Sequence, residues 1–329
     1  MKNILLTGGL GYIGSYFVDN YSDTFNIKII DTNYFQNKYK ENSLFDSTVE
    51  KDIREILSKD IGNADYIIHM GELSNDPLGD LNKNLTKSIN HLGTKKLLEL
   101  ANNSGVKKFI YMSSASVYGF SEQIMRETSK VSPLTEYSKA KVENEKYILN
   151  NNFSFEAIIL RNSTAFGFSS NLRLDLVVND LTYGAFKNKK INLLSDGTPK
   201  RPIVHIADIC RVIEMVLGDI RDLDKEIFNV GDDKMNFSIR EIAEKVGECL
   251  NLDNISFGKH DADQRSYELN FEKLKSYFPS FKIQFDLEQG INDLIKNFEN
   301  YELTGNEKRI QILNKLIDEK RIDDNLFWK

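Results

Sequence analysis

Ile4-Leu5-Leu6-Thr7-Gly8-Gly9-Leu10-Gly11-Tyr12-Ile13-Gly14-Ser15-Tyr16-Phe17-Val18 puts an apolar run, a glycine turn and a helical start in immediate succession. That is the order a phosphate-binding strand-to-helix corner needs. Glycines let the backbone turn tightly and come close to a pyrophosphate, and the N–H groups opening the helix favour its negative charge. Gly14 falls where the helix presses on the sheet and a side chain would be in the way. Glycine turns often serve only as tight connections, so this one gains its weight from an acid at the end of the second strand.

That second apolar run, Asn26-Ile27-Lys28-Ile29-Ile30, ends on Asp31, seventeen residues after Gly14. An acid at that distance, at the tip of the second strand, accepts hydrogen bonds from a ribose 2′-hydroxyl and repels a 2′-phosphate. No arginine follows it closely, so the expected cofactor is NAD rather than NADP.

Composition narrows the class. A chain of 329 residues is long enough for a large core and two lobes. Its hydrophobic content of 40% and charged content of 28% are those of an ordinary globular protein. A net charge of −6 argues against a nucleic-acid partner. Cys210 and Cys249 are too few for a disulfide framework or a zinc site, and His69, His91, His205 and His260 show no metal-ligand spacing. No metal is expected, and the histidines read as hydrogen-bonded polar residues. The amino-terminal run is a strand rather than a signal sequence, and no run approaches a membrane span, so the expected compartment is the cytoplasm.

Along the chain, Asn33–Val49 reads as a loop over the cofactor's adenosine end, and Asp52-Ile53 precedes a short helix from Arg54 to Ser58. Asp52 is either an adenine contact or a plain helix cap. Asp65–Met70 is a buried strand ending in the polar loop Gly71–Pro77, the kind of carboxyl-end loop where open α/β sheets place ligands. Leu81–Ala101 is a long helix with Leu85, Ile89, Leu92 and Leu97 on its apolar face, and it carries Asn90 toward the cofactor side. Val106–Met112 is the next strand, running into Ser113-Ser114-Ala115-Ser116-Val117-Tyr118-Gly119. Thr135 caps a helix from Glu136 to about Asn151, on which Tyr137 and Lys141 share a face. Phe155–Leu160 is a strand leaving through Arg161-Asn162-Ser163-Thr164-Ala165-Phe166-Gly167. The alternation fits a doubly wound parallel sheet.

Later elements loosen into a smaller mixed α/β lobe. A helix opens in Leu172–Asp180, a strand lies at Ile191–Leu194, and Arg201–Asp208 leads into a helix to Leu217. Phe228–Gly231 is a strand returning to the sheet, and a helix runs from Phe237 to Leu250. The expected division is 1–165 with about 204–232 for the cofactor, about 166–203 with 233–300 for the substrate, and a helical tail over 301–329. Thr304 and Glu307 have the form of a capping box, and Ile310, Leu313, Leu316 and Ile317 form a stripe for packing on the same subunit or in a dimer.

The glycine turn, Asp31, Ser114 and the Tyr137–Lys141 pair together resemble the extended short-chain dehydrogenase/reductases. Within them the chain is similar to the nucleotide-sugar epimerases and dehydratases typified by UDP-galactose 4-epimerase, from residue 1 to about 300. The resemblance implies a Rossmann lobe for NAD, a carboxyl-terminal lobe for a nucleotide-diphosphate sugar, and a homodimer. Gly8, Gly11, Tyr12, Ile13 and Gly14 would then hold the pyrophosphate, Asp31 the adenosine ribose, and Asp52 and Ile53 the adenine. Gly71 and Asn90 would also face the cofactor. Leu73, Ser74, Asn75, Ser114 and Thr164 would face the sugar nucleotide, and Arg173, Arg201 and Arg265 its diphosphate. Family dehydratases carry an Asp-Glu pair where this chain has Ala115 and Ser116, which disfavours 4,6-dehydration. The Ser74–Pro77 loop and the Arg173–Asp180 run look closer to a bacterial surface-polysaccharide subgroup that includes a GDP-heptose 4-dehydrogenase.

The implied chemistry is removal of a hydroxyl proton by Tyr137, with Ser114 bonded to the reacting oxygen and Lys141 on the nicotinamide ribose. A tyrosine's ordinary pKa of about 10 makes it a poor base near neutrality. Lys141 and the positive nicotinamide ring are expected to lower it. Epimerase and dehydrogenase outcomes both stay open, and a non-catalytic NAD-binding regulator is the rival class.

Overall fold

The computed structural model describes residues 1–35, 48–74, 76–79, 82–260, 265–302 and 307–329. In chain order the first strands are β1 (Lys2–Thr7), β2 (Phe25–Asp31), β3 (Thr48–Glu50), β4 (Tyr66–His69), β5 (Lys108–Ser114), β6 (Phe120–Met125) and β7 (Glu156–Asn162). They are followed by β8 (Thr164–Phe166), β9 (Ile191–Ser195), β10 (Lys200–His205), β11 (Ile227–Val230), β12 (Asn236–Ser238), β13 (Ile255–His260) and β14 (Ser266–Leu269).

Seven of these form one sheet in the order β11-β7-β5-β4-β1-β2-β3, and every neighbouring pair in it runs parallel. Strand residues alternate between its faces, as a period of two requires. Leu5, Ile67, Phe109 and Ile159 enter one core. Ile4, Leu6, Ile68, Ile110 and Leu160 enter the other. Both faces are covered, which is why these strands read as continuous apolar runs. The fold is thus the doubly wound Rossmann-type sheet expected. The chain winds outward in opposite directions from β1 and β4, so the crevice between their carboxyl ends is the switch point where such sheets take ligands.

A third core lies among the helices Val177–Asn188, Ile239–Leu250 and Leu287–Phe298, with Val178, Ile203, Ile242, Ile291 and Leu294 buried in it. Beside it are three small sheets, β12-β10-β8, β13-β9 and β14-β6.

Several elements differ from the sequence reading. The end of the Asn33–Val49 loop is strand β3, which pairs with β2 at Ile30↔Val49. Residues 36–47 lie outside those described. Strand β6 occupies the polar stretch after Gly119, and Arg173 precedes its helix, which begins at Val177. In place of one helix from Arg54 to Ser58, a 3-10 turn at Ile53–Glu55 and a short helix at Ser58–Ile61 follow Asp52. The long helix after residue 81 contains a π-helical segment, Lys87–Gly93. Its wider turn sets a buried spacing of Leu85, Ile89, Gly93 and Leu97, so Leu92 is 51% exposed instead of facing the core.

Thr304 of the expected capping box lies outside the described residues, and the last helix, Arg309–Asp318, has no side-chain cap at Lys308. Its apolar side packs on this same chain, with Leu313 and Leu316 joining the core under β1 and β2. The end of the tail crosses the β2–β3 edge. Trp328 donates from Nε1 to the Thr32 carbonyl at 2.7 Å, and the Arg54 guanidinium lies 3.7 Å over the Phe327 ring. Among the described residues no helix is long and apolar enough to cross a membrane.

Candidate active site

The carboxyl ends of β1, β4, β5 and β7 open into a cavity of about 650 Å³, within the size range of small-molecule sites. At its floor is the glycine turn. Gly8 has φ +74, and a Cβ there would lie 2.7 Å from the Met70 carbonyl carbon. A Cβ on Gly14 would stand 2.6 Å from the Gly8 oxygen and 2.7 Å from the Gly9 Cα. Gly11 caps the Tyr12–Tyr21 helix without any side-chain bond. Gly8, Gly11, Tyr12, Ile13 and Gly14 all line the cavity. Tyr12 has its hydroxyl fixed by donation to the Gly167 carbonyl at 2.6 Å.

Asp31 ends β2 at the cavity wall. One carboxylate oxygen accepts from the Leu10 N–H at 3.0 Å and the other from the Asn33 N–H at 2.8 Å. Burial pushes this carboxyl above its usual range, against the pull of those two N–H groups and of the Arg309 guanidinium. Asp52 is the helix cap that the sequence allowed, and it also borders the cavity beside Ile53. Its carboxylate caps Arg54 N at 2.8 Å and grips the guanidinium at 2.7 Å.

Asn90 is a correction. It is fully buried, and the cavity wall does not include it. Its amide clamps one residue of the β4 loop, accepting from Leu73 N at 2.9 Å and donating to Leu73 O at 3.0 Å. Within the π turn the Asn90 carbonyl accepts from Asn144 Nδ2 and from Thr94 Oγ1, each at 2.7 Å. Asn90→Ala is therefore expected to leave two buried backbone groups unpaired and destabilise the fold by about 2–4 kcal/mol, read as a lower urea midpoint.

Gly71, Leu73 and Ser74 stand on the wall where the sequence put them, and Asn75 lies outside the described residues. Ser114, Tyr137 and Lys141 meet on the same wall. Ser114 ends β5, directly in register with Asn162 on β7. Tyr137 is in the first turn of the Glu136–Asn150 helix, whose cap Thr135 accepts from Ser138 N at 3.2 Å. The Asp76–Gly79 turn packs tightly beneath it, and a Cβ on Gly79 would come within 2.7 Å of the Tyr137 Cβ.

The Lys141 ammonium sits 5.5 Å from the Tyr137 ring centre and donates to the Met112 carbonyl. Its charge and a Ser114 hydrogen bond pull the phenol pKa down as expected, but burial, aided by Glu72 and Asp76, outweighs them and leaves it raised. Lys141 itself is held protonated. Burial pulls its pKa down, and Glu72 and the phenol more than restore it.

Glu72 is the residue the sequence reading passed over. It lies 2.8 Å from Lys141 Nζ with its side chain 2% exposed. Behind it His69 bridges Thr7 Oγ1 at 2.6 Å and Thr94 Oγ1 at 2.7 Å. Burial and the Lys141 charge push this imidazole down to about 3, so it is neutral.

The three expected arginines and Thr164 also line the cavity. Arg173 pairs with Asp175 at 2.8 Å and donates to Ser74 Oγ at 3.0 Å. Arg201 donates to the Lys200 carbonyl at 2.8 Å and to the Arg265 carbonyl. Arg265 pairs with Asp76, which also accepts from the Thr135 hydroxyl.

Among the described residues, three buried oxygens on the wall have no hydrogen-bond partner: Ser116 Oγ, Asn162 Oδ1 and Ser163 Oγ. The Asn162 NH₂ faces two carbonyls, Ser113 O at 3.2 Å and Leu160 O at 3.3 Å, which turns its oxygen away from them as an acceptor. Buried polar atoms without partners in a cavity wall are what a polar ligand satisfies.

Residues 4–231 match a sequence model of the family described as the NAD dependent epimerase/dehydratase family. The chain belongs to that family. Among curated relatives of this epimerase/dehydratase chain, the UDP-glucuronate 4-epimerase of Thermodesulfobacterium geofontis is 26% identical over 306 residues, covering 90% of this chain and 92% of that one. Among solved structures, the UDP-glucuronic acid 4-epimerase of Bacillus cereus, in complex with UDP-glucuronic acid and NAD, superposes with a TM-score of 0.79. It is 23% identical and covers 90% of this chain and 99% of that one. The dTDP-glucose 4,6-dehydratase of Bacillus anthracis, in complex with NAD, gives 0.77 at 24% identity, with coverages of 92% and 98%.

This epimerase/dehydratase family member takes NAD as its cofactor. The site fits it, with a cradle that a Cβ at Gly14 would fill, a carboxylate at the tip of β2, and unpaired acceptors at the opposite end.

Proposed function

We propose that the protein oxidises a ring hydroxyl, the one on C4, of a nucleotide-diphosphate sugar, and acts as an epimerase or a 4-dehydrogenase in surface-polysaccharide biosynthesis. The observation that carries this reading is the convergence of Ser114, Tyr137 and Lys141 on one wall of the cavity that the glycine turn floors. NAD, when bound, supplies the acceptor for the hydride and, in an epimerase, its return.

The side chains do the rest. Tyr137 takes the hydroxyl proton as the carbon is oxidised, and Ser114 hydrogen-bonds the same oxygen to hold it in line. Lys141, kept as an ammonium, favours the phenolate form. Elsewhere in the cavity lining Arg173, Arg201 and Arg265 offer guanidinium groups to the diphosphate. In this reading residues 1–165 with about 204–232 hold NAD, and about 166–203 with 233–300 hold the sugar nucleotide. The return of β11 to the main sheet beside β7 supports that division.

Elimination of water across C5 and C6 needs an acid–base pair beyond Ser114. Positions 115 and 116 bring an alanine and a serine there, and the nearby carboxylates of Glu72 and Asp76 are engaged by Lys141 and Arg265. Arg265→Ala is expected to raise KM roughly tenfold or more, since a charge-assisted contact to the diphosphate is lost, and to lower kcat as well, because the Asp76 carboxylate near Tyr137 is left without its cation.

The test of the function is a panel of nucleotide-diphosphate sugars incubated with the NAD-loaded protein, followed by absorbance at about 340 nm and by product stereochemistry. An inverted centre without net reduction marks an epimerase, and stoichiometric reduced cofactor marks a dehydrogenase. A 4-keto-6-deoxy product, or no conversion of any member, counts against the reading.

A further inference from the structure

Glu72 is a carboxylate placed where the proposed chemistry has no obvious use for one. It follows Gly71 at the end of β4, in the wall of the cavity, with its side chain 2% exposed. Its Oε2 lies 2.8 Å from Lys141 Nζ. Its Oε1 accepts from the Tyr111 hydroxyl at 2.9 Å, from Thr94 Oγ1 at 3.2 Å and from Asn144 Nδ2 at 3.4 Å. The remaining neighbour is His69, with Nε2 at 3.7 Å. A buried ion pair is weak evidence for stability, because desolvating both charges costs about as much as their attraction returns. The neutral contacts to Tyr111, Thr94 and Asn144 would be served equally by a glutamine. What a glutamine cannot supply is the charge.

We propose that Glu72 is a positioning residue for the reaction: it pins the Lys141 ammonium and cancels part of its field at Tyr137, setting the pH at which the phenol yields its proton. The inference rests on the reading of Tyr137 as the base. A lone ammonium beside a phenol strongly favours phenolate, whereas an ammonium paired with a carboxylate presents a dipole whose effect is weaker at the same distance. The charged groups facing Tyr137 are few. Lys141 favours its ionisation, Glu72 and Asp76 oppose it, and the Ser114 hydroxyl assists. The Arg173 guanidinium also acts on it, as a favourable charge. Lys141 meets Glu72 and, at longer range, Glu145 from its own helix. His69 is neutral and Tyr111, buried, stays protonated. Glu72 is therefore the acid that sits directly on the lysine.

The experiment compares the full-length parent, Glu72→Gln and Glu72→Asp, each with and without Tyr137→Phe. Tyrosinate absorbance is titrated, and the Tyr137→Phe trace is subtracted to isolate that one phenol among the tyrosines. The pH profile of kcat/KM is recorded on the NAD-loaded enzymes. Removing a negative charge favours the phenolate, so in Glu72→Gln both the Tyr137 titration and the acid limb of the profile are expected to move down by about one pH unit or more. Glu72→Asp, which keeps the charge, is expected to move by less than half as much. If the glutamine variant does not fold, Glu72→Ala removes the same charge without setting an amide against the ammonium, and the same downward shift is expected.

A Tyr137 titration that stays in place in a folded, charge-removed variant overturns the proposal, as does an aspartate variant that shifts as far as the glutamine one. Failure of the wider reading looks different. There Tyr137→Phe turns over like the parent, whatever the titration does.

Discussion

A Tyr137→Phe protein is expected to fold and hold NAD as the parent does and to turn over about a thousandfold more slowly. The substitution removes one oxygen and leaves the ring, which packs against the Gly79 turn and lies beneath the Lys141 ammonium. In the proposed chemistry the lost oxygen is the proton acceptor, and water admitted to the site cannot replace it in position. Lys141 does not substitute, because it is held as an ammonium by Glu72 and has no lone pair to offer. Steady-state rates, a melting curve and the mass of the retained nucleotide separate the chemical loss from any loss of structure. Turnover within tenfold of the parent would mean that another group takes the proton.

The second large effect is expected at the opposite end of the cofactor site. Gly14→Ala brings a methyl carbon to within 2.6 Å of the Gly8 oxygen and 2.8 Å of the Gly9 carbonyl carbon. Both are backbone atoms of the turn itself, so no flexible side-chain end can give way. Either the helix lifts from the turn or the turn opens, and both move the N–H groups that would face a pyrophosphate. Misfit of this kind costs about 1–3 kcal/mol, which corresponds to a roughly tenfold to hundredfold weaker affinity for NAD. Calorimetric titration with NAD measures it, and the melting temperature of the cofactor-free variant shows how much of the cost falls on the fold alone. A contrast comes from Gly184, inside the Val177–Asn188 helix, where nothing lies within 4 Å of an added Cβ and φ is not positive.

What the sequence made legible is what neighbouring residues decide among themselves. The glycine turn, the carboxylate ending β2, the Thr135 cap and the i, i+4 relation of Tyr137 and Lys141 are all local, and each has its expected geometry. The return of residues 227–230 to the sheet was readable as an apolar strand, because a strand buried on both faces announces itself by composition.

What stayed hidden depends on which distant segments the sheet order brings together. Glu72 and Lys141 are sixty-nine positions apart and meet only because β4 and β5 are neighbours under the Glu136–Asn150 helix. Asn162 stands beside Ser114 through the β5–β7 register, so its unpaired oxygen had no signature in its own stretch. Asn90 was misplaced because a π turn cannot be told from an α turn by apolar spacing alone. The exposed Leu92 is the trace it leaves. Burial adds to the electrostatics what the sequence could not show. Lys141 lowers the phenol pKa as its spacing suggested, and the enclosed protein site sets against it a larger desolvation.

The central claim is that a hydride passes between a sugar carbon and NAD in the cavity that holds Tyr137. It is tested most directly with a nucleotide-diphosphate sugar carrying deuterium at C4, incubated with the NAD-loaded protein, followed by denaturation and mass measurement of the released cofactor and the sugar product. The account predicts that the deuterium travels as hydride: it is found on the released reduced cofactor in a dehydrogenase, or back on the inverted C4 in an epimerase, and conversion falls sharply in Tyr137→Phe. Conversion of the sugar with the C4 deuterium lost to water would contradict it.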